Sequence, residues 1–315
     1  MTMLSATSNL SVKDGLILNI DSTIFDSNIS STEILNNSEK YFGKNVELYN
    51  IDYNFVGDYT FNFDGIDDFI TVKPENNVNL SSLANTGFTF EYYGKLKAGN
   101  AYHHITGQIY DYVNGGILST YDTLNGNKIW NQYSNIRTKI DKTGKMIFSC
   151  GSPYSGISDY SAAKLYQNGS GWYQNNQYYS IPNYNVNDVY FIQIMFNPNI
   201  KYTVNDIEYI SQIVLINGEE LYNGKFAKST WDSFIQENSG EFLWEIGRMN
   251  GADYGGLNAY ANLETRAMRL YNKAITADEA KLNYNATVAY YDYITNDSTT
   301  STGGNTGGED IDTIE

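Results

Sequence analysis

Residues 241–285 read EFLWEIGRMNGADYGGLNAYANLETRAMRLYNKAITADEAKLNYN, and they carry the strongest structural signals in the chain. Phe242–Arg248 is short, aromatic and apolar, as expected of a strand. Met249-Asn250-Gly251 predicts a turn, because asparagine and glycine both tolerate a positive φ. Ala259–Tyr271 predicts further strand, in which alternate side chains face opposite sides; one face then carries Ala267, Arg269 and Tyr271.

The same stretch ends in a helix signal. Thr276 and Glu279 have the spacing of a capping box, in which the hydroxyl accepts the N–H of the third helical residue and the glutamate reaches back. We therefore predict a short helix over Ala277–Tyr284. Val288–Ile294 beyond it is apolar and aromatic, and we expect it to pack on the body of the protein or on a partner.

This order of IGR, a glycine-rich turn, RLYNKAIT and a capped helix resembles the C-terminal end of concanavalin A-like (LamG-type) jelly-roll domains, a family of lectins and glucanases. Four blocks upstream are similar to strands of the same family, in the same order. They are DGLILNID at 14–21, FNFDGIDDFITV at 61–72, GFTFEYYGKLK at 87–97 and IVLINGEEL at 213–221. The resemblance thus extends from residue 14 to residue 285.

The resemblance implies an all-β fold, a concanavalin A-like jelly-roll β-sandwich with a short C-terminal helix. We expect residues 1–13 to form an N-terminal arm and residues 14–294 to form the sandwich, with an aromatic insertion at about 152–187. Residues 295–315 are rich in Gly, Ser and Thr and then acidic, which predicts a flexible tail. Within 61–72, apolar residues flank Asp64-Gly65 on both sides, which predicts a hairpin.

Charge and composition restrict the partners. The chain has 36 acidic and 20 basic residues and a net charge of −16, so we predict no binding to nucleic acid and none to anionic membranes. No apolar run approaches the ~18 residues of a membrane span. The N-terminal MTMLSATSNLSVKDG lacks the regions of a secretory signal peptide, so we expect a cytoplasmic product, or one that leaves its cell by another route such as lysis. The single cysteine, Cys150, excludes an intramolecular disulfide.

Asp64, Asp67 and Asp68 place three carboxylates in one turn. One interpretation is a calcium site, since Ca²⁺ takes several hard oxygen ligands. The other is that the aspartates accept hydrogen bonds from nearby backbone N–H groups and so shape the turn. The resembling family carries these aspartates with and without metal. We predict no cofactor and keep calcium as the alternative.

Residues 152–187 combine many tyrosines and one tryptophan with Ser, Gly, Asn and Gln, and contain few aliphatic residues. Such a composition is typical of a recognition surface, where rigid rings supply contact area and small polar side chains supply adaptable hydrogen bonds. Packing of these rings on the sandwich or on a neighbouring subunit is the alternative. For binding, we predict a glycan site at Trp172, Tyr173, Asn175, Asn176, Tyr178 and Tyr179.

Motifs for catalysis are missing from the sequence. Glu241 and Glu245 have the even spacing that puts two carboxylates on one face of a strand, but the glucanase-type signature E-x-D-x-x-E is not present. G-x-S-x-G, P-loop and H-E-x-x-H motifs are also absent. We therefore predict a protein that is not an enzyme and has no catalytic residues.

The lectin-like resemblance, the polar arm and the low-complexity tail favour a bacteriophage virion structural protein, such as a capsid decoration, head fibre or tail accessory. Asparagine- and tyrosine-rich LamG-like proteins of phages that infect gut bacteria resemble this chain. The expected partners are other virion proteins, further copies of the chain in a homo-oligomer, and a host surface glycan. The alternative is a carbohydrate-binding module of a bacterial surface or secreted protein, and a glucanase-type glycoside hydrolase is a more distant one.

Overall fold

A computed structural model describes residues 12–22, 29–36, 42, 46–54, 59–72, 80–97, 101–103, 108–110, 118–122, 136–140, 145–150, 176–185, 188–229, 231–232, 242–253 and 257–300. Within these residues, antiparallel β-sheet dominates, as an eight-stranded sheet, a seven-stranded sheet and two two-stranded ribbons. Three helices with described bounds are α1 at Ser31–Asn36, α2 at Leu80–Thr86 and α3 at Ala277–Thr300. The prediction of an all-β sandwich with a C-terminal helix is confirmed.

The eight-stranded sheet consists of β1 Leu16–Asp21, β3 Asp52–Asn54, β4 Thr60–Asp64, β6 Phe88–Lys97, β13 Val189–Val204, β14 Ile207–Ile216, β15 Glu219–Ala227 and β19 Asn262–Tyr271. Its order is β15–β14–β13–β6–β19–β4–β3. β4 pairs with the first half of β19, and β1 pairs with the second half. Asn217 and Gly218 form the turn between β14 and β15, both at positive φ, as the hairpin signal in the sequence predicts.

The seven-stranded sheet consists of β2 Val46–Tyr49, β5 Phe69–Val72, β9 Leu118–Asp122, β10 Ile136–Ile140, β11 Lys145–Cys150, β12 Asn176–Ser180 and β16 Phe242–Ile246. Its order is β12–β11–β10–β9–β16–β5–β2. The ribbons pair β7 Ala101–His103 with β8 Gln108–Tyr110, and β17 Arg248–Asp253 with β18 Leu257–Tyr260.

The main core lies between the two large sheets. Phe88 of β6 illustrates it, because its ring centroid lies 5.5 Å from that of Trp244 in β16 and 5.0 Å from that of Phe196 in β13. The inward residues of both sheets form one cluster, which includes Phe61, Phe63, Ile70, Val72, Phe90, Ile192, Ile194, Ile246, Met268 and Leu270. Period-two burial of this kind is what strands with one buried face require.

Helix α3 covers the outer face of the eight-stranded sheet. Its Tyr291 is fully buried against Tyr93, Phe191 and Ala267. The capping box is confirmed, because the Glu279 N–H donates to Thr276 Oγ1 at 3.2 Å and the Thr276 N–H donates to Glu279 Oε2 at 2.7 Å. The helix continues to Thr300 instead of ending near Tyr284, so Val288–Ile294 packs on the sheet as part of the same helix.

Charged and polar groups meet beneath α3. Arg269 Nη1 donates to Glu91 Oε2 at 3.3 Å, and both side chains are 1% exposed. The other oxygen of Glu91 accepts from Gln193 Nε2 at 2.7 Å and from Asn283 Nδ2 of the helix at 3.0 Å. Arg269 Nε also donates to Asn19 Oδ1 at 3.1 Å. The ion pair joins β6 to β19, and the helix is held on the sheet by the hydrogen bond from Asn283 to the buried Glu91 carboxylate as well as by apolar packing.

The predicted hairpin at 61–72 does not form. β4 belongs to the eight-stranded sheet and β5 to the seven-stranded sheet, so the turn at Asp64-Gly65 carries the chain from one sheet to the other. Phe63 and Ile70 lie on opposite sides of one core and are both buried. Two amphipathic strands can bury their apolar faces by packing face to face as well as by pairing, and the local pattern does not distinguish these solutions.

The predicted turn at Met249-Asn250-Gly251 also lies elsewhere, since all three residues belong to β17. The break in the chain occurs at Gly247, whose φ is +81° and where a Cβ would lie 2.5 Å from a ring carbon of Phe63. Val12, which we assigned to the N-terminal arm, is 5% exposed and packs with Met195, Leu215 and Tyr271.

Candidate functional site

A row of polar residues crosses the outer face of the seven-stranded sheet. Glu47 of β2 pairs with Thr71 of β5, and Thr71 pairs with Glu245 of β16. These three residues alternate with the inward-facing Val46, Ile70 and Trp244 of the core. Directly opposite residues on antiparallel strands share one face, so the three polar side chains lie side by side.

The backbone register continues this row to the opposite edge of the sheet. Glu245 pairs with Ser119, Ser119 with Arg137, Arg137 with Ser149, and Ser149 with Asn176 of β12. All seven strands therefore contribute a polar or charged residue type to one row. At ~4.8 Å between neighbouring strands, such a row is about 29 Å long.

An aromatic and cationic stack stands beside the row. The ring of Tyr49 lies parallel to that of Phe69, with 4.1 Å between centroids and 7° between planes. The guanidinium carbon of Arg248 lies 3.6 Å from the centroid of Phe69. Both groups could not occupy the same face of the ring without overlapping, so Phe69 is held between Tyr49 and Arg248. The ring centroid of Tyr260 in β18 lies 6.2 Å from that of Phe69.

Two carboxylates fix this stack. Glu245, fully buried, forms an ion pair with Arg248 and so holds the guanidinium over Phe69. The Tyr49 hydroxyl donates to Glu47, and this hydrogen bond raises the pKa of Tyr49 above its usual value. Tyr49 remains 37% exposed, so one large ring faces solvent on a fixed base. A rigid exposed ring flanked by charged hydrogen-bonding groups is suited to bind a ligand that has both apolar and polar faces.

The sequence-predicted glycan residues are placed only in part. Trp172, Tyr173 and Asn175 lie outside the described residues. Asn176, Tyr178 and Tyr179 lie in β12, the edge strand of the seven-stranded sheet, where they pair with Ser149, Ile147 and Met146 of β11. The predicted segment thus enters the same sheet that carries the polar row, at the edge opposite Tyr49.

One tyrosine of the aromatic insertion packs on the sandwich. The Tyr184 hydroxyl donates to the carbonyl of Leu96, and its ring stacks on that of Tyr190 at 5.5 Å. For Tyr184, the packing alternative therefore describes the structure.

Asp64, Asp67 and Asp68 come together as expected, with one ligand atom from each lying within 4.8 Å of the others. Asp64 Oδ1 accepts from the N–H of Ile66 at 2.6 Å, and Asp68 Oδ2 accepts from the N–H of Asp64 at 2.7 Å. These are the turn-forming bonds of the second interpretation, in which the aspartates accept from backbone N–H groups. Burial raises the pKa of Asp68 to about 7, with smaller contributions from the neighbouring carboxylates.

Tyr49, Phe69 and Arg248 were not predicted as site residues. They lie far apart in the sequence, and no local pattern links them; only the pairing of β2, β5 and β16 brings them together. Glu241 of the glutamate pair considered for catalysis lies outside the described residues, and Glu245 is engaged by Arg248. No helix in the described ranges is long and apolar enough to cross a membrane.

Comparisons with known proteins give the fold. No protein-family model and no curated protein matches the chain. A solved structure described as the crystal structure of the receptor binding domain matches with a TM-score of 0.50 at 11% identity, covering 87% of this chain and 51% of that one. The binding domain of botulinum neurotoxin DC matches in complex with rat synaptotagmin II, at a TM-score of 0.48, 12% identity and 86% and 51% coverage.

The same binding domain in complex with SialylT matches at a TM-score of 0.47 and 12% identity, covering 87% of this chain and 52% of that one. This chain therefore spans about half the length of the structures it matches. At 11% identity, the first match shows a shared β-rich sandwich fold and nothing about the ligand.

Proposed function

We propose that this protein is a non-enzymatic, glycan-binding β-sandwich of the concanavalin A-like type, carried on a bacteriophage particle as a structural protein. The glycan lies across the outer face of the seven-stranded sheet. The observation that carries the proposal is the combination of the polar row from Glu47 to Asn176 with the stack of Tyr49, Phe69 and Arg248.

The chemistry of this face suits an extended oligosaccharide. Each sugar has an apolar C–H face, which the exposed Tyr49 ring can cover, and a rim of hydroxyls that both donate and accept hydrogen bonds. Glu47, which is exposed beside the ring, provides carboxylate acceptors. A row of about 29 Å has the length of several sugar units. Glu245, which is fully buried and paired with Arg248, would not contact them.

Two further points support the biological placement. The sequence resembles LamG-like proteins of phages that infect gut bacteria. The solved domain with a TM-score of 0.50 is described as a receptor binding domain, and recognition of a host surface is the task that we propose here. A module of a bacterial surface or secreted protein would use the same face for the same class of ligand.

A glycan array tests the binding face. Tyr49→Ala removes the exposed ring, and we expect at least a tenfold loss of binding to the glycans that the parent protein recognises. Tyr293→Ala is the matched control, because Tyr293 is 61% exposed on α3, on the other side of the molecule. Retained binding by Tyr49→Ala with unchanged glycan selectivity would overturn the proposed face.

Trp172→Ala in the same assay tests the predicted contribution of the aromatic insertion. Loss of binding with a thermal midpoint near that of the parent would assign Trp172 to the site. Retained binding with lower stability would make it a packing residue.

Mass spectrometry of purified particles tests the placement. A virion protein is expected to co-purify with the capsid at a fixed copy number. Its recovery only from a bacterial surface or culture medium would favour the bacterial module.

A further inference from the structure

A second polar concavity lies on the opposite sheet. It has a volume of about 230 Å³ and sits where β3, β4 and the start of β19 meet. Asn54, Thr60, Asn62, Asp64, Asn262 and Glu264 line it, and Phe63 and Leu263 form part of its wall. The face is the outer one of the eight-stranded sheet, nearer the start of β19 than the contacts of α3 with Ala267 and Tyr271.

Strand pairing sets the spacing of its polar groups. Asn262 pairs with Asp64, Glu264 pairs with Asn62, and Asn54 pairs with Thr60. Each of these pairs joins neighbouring strands, and successive outward residues on one strand are about 6.5–7 Å apart. The polar side chains that line the concavity are therefore spaced regularly along and across three paired strands.

Hydrogen-bonding capacity remains unused in this array. Within the described part of the chain, the side-chain amide of Asn262 makes no hydrogen bond. Asn62 accepts from Thr60 Oγ1 at 3.3 Å, which leaves its NH₂ group without a partner in the same residues. Unpaired amides supply donors and an acceptor at fixed positions, and the neighbouring carboxylates supply further acceptors.

We propose that this concavity binds one neutral sugar residue. A sugar offers adjacent hydroxyls, each a donor and an acceptor, which match an array of amides and carboxylates. The volume is below the roughly 300–1,000 Å³ of sites for drug-sized ligands, which suits a single ring. This site is separate from the face of the seven-stranded sheet and does not depend on the proposed function.

Charge selects the class of sugar. Asp64 and Glu264 place two carboxylates in the lining, and Lys95 lies 3.1 Å from Glu264. One negative charge thus remains beyond this ion pair, so a sugar that carries a carboxylate would meet repulsion. Neutral hexoses and N-acetylhexosamines are accepted, and sialic acid is rejected.

The test is an NMR titration of the ¹⁵N-labelled full chain with D-glucose, D-galactose, D-mannose, L-fucose, N-acetyl-D-glucosamine and N-acetylneuraminic acid. The side-chain amide signals of Asn62 and Asn262 should shift and saturate with at least one neutral sugar and stay in place with N-acetylneuraminic acid. Asn262→Ala should lower the affinity for that sugar at least tenfold. Asn285→Ala, on the exposed side of α3, should leave the affinity unchanged.

A second variant guards against a folding defect. Asn62→Asp keeps the acceptor for Thr60 but replaces the unpaired NH₂ group by a third carboxylate, and it should also abolish the shifts. The proposal is overturned if no neutral sugar moves these two signals at 50 mM, or if binding survives in both variants. Shifts with CaCl₂ and none with sugars would also overturn it, in favour of a cation site. Tyr49→Ala should leave these shifts intact, so this result and the glycan-array result are independent.

Discussion

Replacing Arg269 by methionine tests how much the buried ion pair beneath α3 contributes to the free energy of unfolding. The side chains of Arg269 and Glu91 are each 1% exposed, and Arg269 Nη1 lies 3.3 Å from Glu91 Oε2. Methionine fills most of the volume but leaves the Glu91 carboxylate buried without its counter-charge. Removing one partner of such a pair typically costs about 3–5 kcal/mol. Gln193 and Asn283 still donate to Glu91, so we expect a loss near 3 kcal/mol.

Urea unfolding followed by tryptophan fluorescence measures this loss in the free energy of unfolding. In the double variant Glu91→Gln/Arg269→Met, residue 91 carries no charge, and its side-chain amide oxygen can still accept hydrogen bonds from Gln193 and Asn283. It should be more stable than Arg269→Met by at least about 1 kcal/mol. The control is Lys273→Met, which breaks an ion pair with the highly exposed Asp14 and should cost no more than about 1 kcal/mol.

Two results would refute this reasoning. One is a cost for Arg269→Met no larger than that of Lys273→Met. The other is a double variant at least as unstable as the single one, which would show that the lost packing of the arginine, and not the uncompensated charge, sets the cost.

Three further predictions concern other parts of the molecule. Thr276→Ala should cost about 0.5–2 kcal/mol because it leaves the Glu279 N–H without its acceptor, whereas Thr276→Ser should cost less; coincident urea midpoints would contradict the cap. Asp68 has a pKa of about 7 in the folded state against an ordinary 3.8, so the folded state binds more protons between these pH values and the parent protein loses stability as pH rises from about 4 to 7. Asp68→Asn should flatten this dependence of the thermal midpoint on pH. A pH profile identical to that of the parent would refute the raised pKa. CaCl₂ should leave the midpoint unchanged if the aspartates shape the turn, and a saturable rise that Asp64→Asn abolishes would make them a calcium site.

The sequence predicted elements whose signals are local. The capping box at Thr276 and the alternation of Ala267, Met268 and Arg269 need only neighbouring residues, and both are as predicted. The end of α3 was placed too early, because Tyr284–Tyr291 packs on the sheet and tertiary packing overrides weak local propensity. The hairpin predicted at Asp64-Gly65 is wrong, because two strands paired in one sheet and two strands packed face to face in different sheets show the same apolar pattern.

The candidate site could not be derived in the same way. Glu47, Thr71 and Glu245 become neighbours only through the register of three strands that are distant in the chain. The stack of Phe69 between Tyr49 and Arg248 depends in addition on the bend at Gly247, which brings β17 over the sheet. Composition did identify a polar and aromatic segment, and its described strand β12 does join the sheet that carries the row.

The two ends of the described chain lie on one side of the sandwich. Val12 packs with Met195 and Tyr271, and α3 covers the same outer face of the eight-stranded sheet. Attachment to a support through either end would therefore place the outer face of the eight-stranded sheet toward that support. The opposite face of the sandwich, with Tyr49 and the polar row, would then be directed away from the support, whichever end is attached.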